Sequence, residues 1–281
     1  MKKNMKPKIL FLDFDETLLC SDKTVSWENQ HVLRKFVEQG NYIAFTTGRP
    51  IRGAKRLFEE THLPREHCYL LCYQGCFFYD LKADACLEAH PMDKADLKHL
   101  VKKMLAMGIY FQAFYEGGFC CLEETETTKR YYQMTGEPYV VLEDMESLDA
   151  YDIYKVMAIN YENRRSLEDL RDAVADKSQY PFASFFSSPW FYEFCGTGQN
   201  KGAGLRWLAG YLGVSIEDTI AMGDEENDLS MIEAAGFGVA MCNAREEIKA
   251  QADLVTTRDN NHSGVAEIAQ KYILDVSDES L

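Results

Sequence analysis

The hydrophobic positions of the chain form short apolar runs that alternate with helix-length amphipathic stretches at both ends of the sequence. Ile9–Leu12 is a continuous apolar run of the kind found in strands that are buried on both faces. The stretch after it repeats apolar residues at helical spacing between Ser26, a favourable N-cap, and Gly40, a natural stop. The same rhythm predicts, in order, a strand at Tyr42–Phe45, a helix near Arg52–Glu60 and a strand at Tyr69–Tyr73.

The far end of the chain repeats this alternation. It predicts, in order, a helix at Lys201–Leu212, a strand at Thr219–Met222, a helix at Asp228–Ala235, a strand at Gly238–Met241, a helix at Ala244–Gln251, a strand at Leu254–Thr257 and a closing helix at Gly264–Leu274. Such alternation is typical of a parallel sheet with helices on both faces. We therefore expect an α/β fold whose core is a Rossmann-like, doubly wound parallel sheet.

The middle of the chain, roughly residues 83–186, has a different pattern. It predicts, in order, a helix at Asp93–Met107, strands near Ile109–Tyr115, Phe119–Leu122, Tyr139–Leu142 and Lys155–Asn160, a helix at Ser166–Ala175 and a strand at Phe182–Phe186. A Glu-Gly-Gly segment joins two adjacent strands as a hairpin, which favours an α+β unit. We therefore expect residues 1–82 and 187–281 to form the core, including a strand at Trp190–Cys195, and residues 83–186 to form an inserted second domain.

The composition and the net charge of the chain exclude some classes of binding partner. Of the 281 residues, 46% are hydrophobic, and 45 acidic residues outnumber 30 basic ones for a net charge of −15. This balance argues against binding to nucleic acid or to anionic membranes, both of which attract basic surfaces. The apolar run near the N-terminus is shorter than the ~7–15 residues of a signal-peptide core and the ~20 of a membrane span. We therefore expect a cytoplasmic protein with no nucleic-acid and no membrane partner.

The nine cysteines are an odd number in a chain long enough to fold without disulfides. Cys68, Cys72 and Cys76 are spaced by four residues, which raises the alternative of a metal site. Their window has the composition of a strand, and no other clustered cysteine or histidine completes a zinc ligand set. We interpret the three thiols as buried residues in a reducing compartment.

Two acidic residues come directly after the first predicted strand. Asp13 and Asp15 are separated by one residue, and because residues i and i+2 of a strand face the same side, we expect their carboxylates to converge on one ligand. Open α/β folds place their sites at the carboxyl ends of parallel strands. A hard divalent cation such as Mg²⁺ would relieve the repulsion between the two carboxylates. The alternative is an acidic turn without function.

A second acidic cluster, Gly223–Asp228, also follows a predicted strand. Asp224 lies at the strand end, and Asn227 and Asp228 lie near the start of a helix. Acidic residues favour helix N-termini because of the helix dipole, and this alternative explains Glu225 and Glu226 better than it explains Asp224.

Two further segments provide what an anionic substrate needs. Thr46–Arg49 lies between a strand and a helix, where a hydroxyl and free backbone N–H groups can hold an anion. Lys201 opens a helix and adds a positive charge, although a lysine in that position is usually a surface residue. Each segment alone is a weak signal. Four strand ends that carry an acid pair, a hydroxyl, a lysine and an acid cluster form a much more specific set.

This set resembles a known family. The sequences Asp-Phe-Asp-Glu-Thr-Leu at 13–18, Thr-Thr-Gly-Arg at 46–49, Lys-Gly at 201–202 and Gly-Asp-Glu-Glu-Asn-Asp at 223–228 are similar to the four motifs of the haloacid dehalogenase superfamily. The insertion before the lysine and the closing stretch at 255–266 resemble its Cof-like phosphatases, whose αβ cap is inserted at that point. The resemblance covers 1–82 and 187–281, while the cap matches only in position and size.

The resemblance implies a phosphatase that forms an aspartyl phosphate. Asp13 would be the nucleophile, and Asp15 would protonate the leaving group and then activate water. Mg²⁺ would be held by the Asp13 carboxylate, the Asp15 backbone carbonyl and the Asp224 side chain. Asp228 would play a supporting role by orienting Lys201 or the metal's waters. The presence of Asp15 also favours a phosphatase over a dehalogenase, because an alkoxide leaving group needs a proton and a halide does not.

The remaining motif residues would bind the phosphoryl group. The Thr47 hydroxyl and the backbone N–H groups near Phe14 and Gly48 would bind its oxygens, and Lys201 would neutralise its charge. Asn227 would also reach the phosphate. The site would thus be locally positive within an acidic protein, and we expect phosphate binding to be weak without the metal.

Three positions depart from the family pattern or have two interpretations. Cof-like proteins usually carry Asn-Gly after the third strand, where this chain has Gln74-Gly75, and we leave Gln74 out of the predicted site. The run before Lys201 lacks the usual serine. Arg49 would either contact substrate or cap its own turn.

The expected activity is Mg²⁺-dependent hydrolysis of small phosphorylated metabolites, with sugar phosphates as the default substrates. Two alternatives stay open. One is a phosphomutase or phosphotransferase that uses the same intermediate, and the other is a non-catalytic sensor of phosphorylated metabolites. The sequence carries no motif that selects a particular substrate or an oligomeric state.

Overall fold

A computed structural model of the protein describes residues 8–270. The strands are β1 (Ile9–Asp13), β2 (Tyr42–Thr46), β3 (Cys68–Cys72), β4 (Phe77–Asp80), β5 (Ala85–Ala89), β6 (Phe111–Tyr115), β7 (Gly118–Cys121), β8 (Tyr139–Val141), β9 (Lys155–Ile159), β10 (Ala183–Ser188), β11 (Phe191–Cys195), β12 (Thr219–Gly223), β13 (Phe237–Ala240) and β14 (Leu254–Val255). The α-helices are α1 (Trp27–Glu38), α2 (Ile51–Glu60), α3 (Lys94–Ala106), α4 (Glu126–Thr135), α5 (Arg164–Ala173), α6 (Lys201–Leu212), α7 (Leu229–Ala234), α8 (Glu246–Lys249) and α9 (Gly264–Ile268).

The first sheet has the strand order β14-β13-β12-β1-β2-β3-β4-β5. Its first six strands are parallel, and β4 and β5 extend it as an antiparallel edge. Every residue of β1 is buried because helices cover both faces: Leu10 packs in the cluster that contains Phe36 of α1, while Phe11 packs in the cluster that contains Leu205 of α6. The expected doubly wound parallel core is confirmed.

The second sheet has the order β10-β11-β9-β6-β7-β8 and is antiparallel except where β7 pairs with β8. Helices α3 and α5 cover one of its faces, where Leu100 and Leu170 pack in a cluster with Val156. This sheet and helices α3–α5 form the α+β cap that the sequence predicted, and we call the first sheet and its helices the core.

The other face of the cap sheet packs against the core. A single set of buried apolar residues, here called the shared cluster, runs through both parts; it contains Phe14, Phe45 and Tyr73 of the core and Phe114, Tyr131 and Met157 of the cap. The cap therefore lies closed over one edge of the core.

Several predicted elements need correction. The strand near Trp190–Cys195 was expected in the core, but as β11 it pairs with β9 and β10 of the cap. Strand β5 lies beyond the expected boundary at residue 82, yet pairs within the core sheet. Both errors arise because strand patterns carry no information about which sheet a strand joins. Strands β4 and β5 and helix α4 have no counterpart among the predicted elements.

The ends of the predicted elements differ in detail. The closing helix was expected at Gly264–Leu274; the structure has α9 at Gly264–Ile268, and positions 271–274 lie outside the described residues. Cys68 and Cys72 lie in the buried strand β3 as interpreted, and their thiols are free. Within residues 8–270, no helix combines the length and the apolar character needed to cross a membrane.

Candidate active site

The sequence motifs meet at the carboxyl edge of the core sheet. Strand β1 ends at Asp13, which pairs in register with Thr46 at the end of β2, and β12 ends at Gly223 on the other side of β1. Helix α6 begins at Lys201, after Asn200 caps it by accepting a hydrogen bond from the Ala203 N–H. Because parallel strands end on the same edge, residues from distant parts of the chain meet there.

Lys201 lies at the centre of the site. Its Nζ is 2.5 Å from Asp13 Oδ1 and 2.5 Å from Asp228 Oδ1, and the residue is only 1% exposed. Burial by itself lowers the pKa of Lys201, but Asp13 and Asp228 raise it more, so the net pKa lies above its usual range. The ammonium therefore keeps its charge although it is buried.

Asp228 holds the second acidic segment in shape. Its Oδ2 accepts hydrogen bonds from the backbone N–H groups of Asp224 (2.9 Å) and Glu225 (3.1 Å), while its Oδ1 accepts from Lys201. The preceding Gly223 is required because a Cβ atom there would lie 2.4 Å from the Asp228 side chain. Both oxygens of Asp228 are thus occupied by protein donors, which agrees with a supporting role.

Three buried carboxylates form a candidate cation site. One oxygen from each of Asp13, Asp224 and Asp228 lies within 4.8 Å of the others. Asp224 Oδ1 accepts from the Thr17 hydroxyl at 2.8 Å. In residues 8–270, no hydrogen bond reaches the second carboxylate oxygen of Asp13 or Asp224. Hard oxygen donors that stand close together are the ligands that a divalent cation prefers, so this set fits such an ion.

The raised pKa values of two of these carboxyl groups also indicate that the site lacks positive charge. Burial raises the pKa of Asp13 to about 7, and the nearby Asp228 and Asp15 add to the increase while Lys201 opposes it. Burial likewise raises the pKa of Asp224 to about 8, with further contributions from Asp228 and Asp13. One ammonium is insufficient to balance the three carboxylates.

Asp15 does not join this cluster. Strand β1 ends at Asp13, and Asp15 lies in the turn Phe14–Leu18, so the alternation of a strand does not extend to it. Its carboxylate instead accepts from Arg49 Nε and Nη2, both at 2.8 Å, and from Lys23 Nζ at 3.1 Å. The strand geometry from which convergence was expected therefore does not extend to Asp15, whose side chain is held by Arg49 and Lys23. Convergence of the two carboxylates on one ligand stays a prediction.

The contact with Arg49 affects the protonation of Asp15. Burial raises the pKa of the Asp15 carboxyl, but Arg49 and Lys23 lower it more, so the net pKa lies below its usual range. Of the two interpretations of Arg49, a contact with substrate or a cap on its own turn, the structure shows a third: its guanidinium binds Asp15 in a bidentate ion pair.

The turn after β2 presents a hydroxyl and backbone groups toward the same edge. Thr47 is anchored because its N–H donates to the Leu71 carbonyl at 2.8 Å, and its Oγ1 accepts from the Arg49 N–H at 3.1 Å. A Cβ atom on Gly48 would lie 2.4 Å from Gln74 Nε2, so a larger residue there would displace the Gln74 amide. Phe14 is buried with its ring stacked on Phe45, so only its backbone is available to the site.

Gln74, which the sequence analysis left out, belongs to the site. Its Oε1 accepts from Asn227 Nδ2 at 3.1 Å, which links the turn after β3 to the second acidic segment. Tyr73, Gln74 and Gly75 all have positive φ angles of 50°, 63° and 88°, and this left-handed run carries the amide over Gly48. The signal in the sequence was the Gln-Gly pair at the position where Cof-like proteins usually have Asn-Gly.

The cap contributes charged residues that the sequence analysis also missed. Lys155 and Glu193 are both buried on the cap sheet, and Lys155 Nζ donates to the Gly48 carbonyl at 2.7 Å. Buried Glu137 approaches helix α2 of the core and pairs with Arg56 at 3.4 Å. Each is a single charged residue in an otherwise ordinary segment, so no local motif marks them.

A cavity of about 410 Å³ lies beside the site between core and cap. Lys201, Asn227 and Gln74 line it from the core, and Phe185 and Lys177 line it from the cap. Its size and mixed lining suit a small polar molecule.

The fold and this site are those of a capped α/β enzyme. A family model described as haloacid dehalogenase-like hydrolase matches residues 10–268, so the chain belongs to that family. The resemblance identified from the sequence is thereby confirmed.

Known proteins of similar length support the same assignment. The 5-amino-6-(5-phospho-D-ribitylamino)uracil phosphatase YitU of Bacillus subtilis is 29% identical over 285 residues, which cover 95% of this chain and 98% of that protein. The phosphatase YwpJ of the same organism is 27% identical, over 95% of this chain and all of its own length (100%). A haloacid dehalogenase-like hydrolase from Bacteroides thetaiotaomicron has a similar structure, with a TM-score of 0.82, 26% identity and coverage of 94% and 99% of the two chains. The expectation of an enzyme of the phosphatase kind is confirmed.

Proposed function

We propose that the protein is a Mg²⁺-dependent phosphomonoesterase that hydrolyses small phosphorylated metabolites through an aspartyl phosphate on Asp13. The observation that carries this proposal is the buried Lys201 ammonium, held 2.5 Å from both Asp13 and Asp228, beside Asp224. An anionic nucleophile placed next to a fixed positive charge, at a site that fits a further cation, suits attack on a phosphate ester.

The reaction has two steps. In the first, an Asp13 carboxylate oxygen bonds to phosphorus while the bond from phosphorus to the leaving oxygen breaks, and Asp15 gives that oxygen a proton. In the second, Asp15 takes a proton from water, the water oxygen bonds to phosphorus, and the acyl phosphate bond to Asp13 breaks to release inorganic phosphate. Arg49 and Lys23 stabilise the ionised Asp15, which is the form needed in the second step. For the first step, Asp15 would take up the proton that a phosphate monoester monoanion brings when it binds.

A divalent cation would be held by the side chains of Asp13 and Asp224 together with the backbone carbonyl of Asp15. When bound, it would screen the negative nucleophile from the negative phosphate. Asp228 keeps a supporting role because both its oxygens are already occupied.

The other proposed roles are to bind the phosphoryl oxygens. The Thr47 hydroxyl, the N–H groups at Phe14 and Gly48, the Lys201 ammonium and the Asn227 amide would share this task. Support comes from the turn geometry at Thr47, whose oxygen accepts from Arg49 and leaves its own proton free to donate.

The cap would select the substrate by enclosing the leaving group. We propose that it comprises the chain between β5 and the end of β11, so that the boundaries lie near 89 and 195 rather than at 82 and 186. The YitU relative is named for a substrate with a phosphorylated ribityl chain. A cavity of about 410 Å³ accommodates a sugar or polyol of that size, so sugar-phosphate-like monoesters are the proposed class. A cytoplasmic location stays a prediction.

The test is the hydrolysis of a chromogenic aryl phosphate with Mg²⁺ by the wild type and by Asp13→Asn. The variant preserves the shape of the side chain but is a poor nucleophile, so activity should fall by roughly a thousand-fold or more. Asp169→Asn, which changes an exposed acid on α5, is the matched control and should retain full activity. Persistent activity in Asp13→Asn would overturn the assignment of the nucleophile.

Assays with hexose phosphates and other phosphorylated metabolites separate the alternative functions. A phosphomutase or phosphotransferase would convert a hexose phosphate to an isomer or a new ester faster than it releases inorganic phosphate. A non-catalytic sensor would bind phosphorylated metabolites without turnover of any of them.

A further inference from the structure

Lys155 is a buried lysine of the cap that contacts the core. It lies in β9, is 3% exposed, and its Nζ donates to the backbone carbonyl of Gly48 at 2.7 Å. The same Nζ lies 4.7 Å from the centre of the Phe114 ring. A long cationic side chain is rarely buried unless its charge is used, because desolvation is costly.

Glu193 makes the burial of this charge possible. Its Oε2 accepts from Lys155 Nζ at 2.9 Å across neighbouring strands of the cap sheet, and its Oε1 accepts from the Ser187 hydroxyl. The side chains of the pair are 3% and 4% exposed. The pair and the Ser187 hydroxyl thus hold the ammonium at one position above the core.

The carbonyl that Lys155 contacts belongs to the turn that is proposed to bind phosphate. The peptide unit between Gly48 and Arg49 is fixed at both ends: its carbonyl accepts from Lys155, and its N–H donates to Thr47 Oγ1 at 3.1 Å. Because the Thr47 oxygen accepts this bond, its hydroxyl proton must point elsewhere. Lys155 therefore fixes the orientation of the Gly48–Arg49 peptide, and this peptide in turn fixes the direction of the Thr47 hydroxyl proton.

We propose that Lys155 is a positioning residue for phosphoryl transfer, which holds the turn Thr47–Arg49 in its working shape when the cap lies over the core. This inference rests on the proposed function. Lys155 acts on the phosphate end of the substrate and does not select the leaving group. Glu193 neutralises Lys155 and keeps it in place.

A positioning residue and a specificity residue have different kinetic signatures. If Lys155 acts through the turn, its loss lowers kcat/KM by the same factor for every phosphate ester. If it contacted the leaving group, its loss would change the ranking of substrates. A purely structural residue would lower the melting temperature and leave the kinetics of the folded fraction intact.

The experiment compares Glu193→Gln with the double variant Lys155→Met/Glu193→Gln. The single change keeps an acceptor for Lys155 and is the matched control, and the double change removes the ammonium without leaving a carboxylate buried and unpaired. We expect the double variant to lose about tenfold or more in kcat/KM, equally on an aryl phosphate and on a hexose phosphate. Glu193→Gln leaves the ammonium without its charged partner and should lower the melting temperature. Because the glutamine still accepts from Lys155 and the contact with Gly48 remains, its kcat/KM should fall much less than that of the double variant.

Thr47→Ala provides a second readout. If Lys155 works through Thr47, then Thr47→Ala costs much less in the double variant than in the wild type, because the two residues act as a unit. Equal costs in both backgrounds, or a loss confined to one substrate, would overturn the inference. If the double variant does not fold, Lys155→Gln replaces it in the experiment, because the glutamine can still donate a hydrogen bond to Glu193.

Binding of inorganic phosphate in the presence of Mg²⁺ separates this inference from the proposed function. If the wild type turns over no phosphate ester, the proposed function fails, yet titration calorimetry with inorganic phosphate still tests the turn. We expect the double variant to bind phosphate about tenfold more weakly than Glu193→Gln. Equal affinities would contradict the role of Lys155.

Discussion

Within residues 8–270, the core and the cap each bury one lysine, and the two lysines differ in how they are held. Lys201 of the core lies between two carboxylates that come from motifs on either side of it, and all three groups belong to the site itself. Lys155 of the cap has one carboxylate partner on its own sheet and a backbone carbonyl of the core as its other partner. A buried charge is thus explained by what it contacts: Lys201 faces the proposed nucleophile, and Lys155 faces the backbone of the turn proposed to bind phosphate.

The largest difference between the two lysines should appear when Lys201 is removed. Lys201→Met leaves Asp13 and Asp228 buried without their cation, and should lower kcat/KM about 10²–10³-fold. The same change should lower the free energy of unfolding by about 3 kcal/mol, because it strands buried charge. Steady-state kinetics and denaturant unfolding measure the two effects. If kcat/KM of Lys201→Met falls no further than that of Lys155→Met/Glu193→Gln, the two lysines do not differ in role as proposed.

Metal removal should affect the surroundings of Lys201 and not those of Lys155, because of these two lysines only Lys201 lies beside the candidate cation site. Burial raises the pKa of Asp13 to about 7 and of Asp224 to about 8, so without metal the folded protein binds more protons than the unfolded chain between about pH 4 and 8. The free energy of unfolding of the metal-free protein should therefore fall as pH rises through this interval.

Mg²⁺ binds the deprotonated carboxylates, so its affinity and its stabilising effect should both increase with pH over the same interval. Thermal melting at pH 6 and pH 8.5, with EDTA or with Mg²⁺, measures this, and calorimetry in two buffers should show protons released on binding. A Mg²⁺ affinity independent of pH would contradict the assignment of Asp13 and Asp224. Lys155→Met/Glu193→Gln should leave the pH dependence unchanged.

The smallest effect is expected for a cap lysine that does not contact the core. Lys98 pairs with Glu146 and Asp149, both at 2.7 Å, at the cap surface. Lys98→Met should leave the free energy of unfolding almost unchanged, since exposed ion pairs contribute little, and should leave kcat/KM within twofold. If Lys98→Met lowered kcat/KM as much as the Lys155 variant does, the effect of Lys155 could not be attributed to its contact with the core.

Most of the core site could be predicted from the sequence because its residues follow strands within short motifs. Asp13, Thr47, Lys201 and Asp224 come together as expected, since the carboxyl ends of parallel strands share one edge. The side chain of Asp15 could not be placed correctly, because the strand ends two residues earlier and the turn redirects it to Arg49. The roles assigned to these residues stay predictions.

The contributions of the cap could not be predicted from the sequence. Lys155 and Glu193 are separated by 38 residues along the chain, and their pairing depends on the register of β9 with β11. The same lack of long-range information misplaced β11 in the core. Helix α4 was missed because its sequence is mostly polar, although Thr125 at its N-cap and Gly136 at its C-cap are ordinary end signals.

The shared cluster has a consequence for temperature. Any separation of cap from core exposes Phe114 and Tyr131 of the cap and Phe14 of the core to water. Exposure of apolar surface raises the heat capacity, and the attraction between such surfaces weakens on cooling. Warming through the ambient range therefore tightens the closed arrangement, while cold favours an open one. Chilling rather than heating is therefore the mild way to loosen the cap from the core.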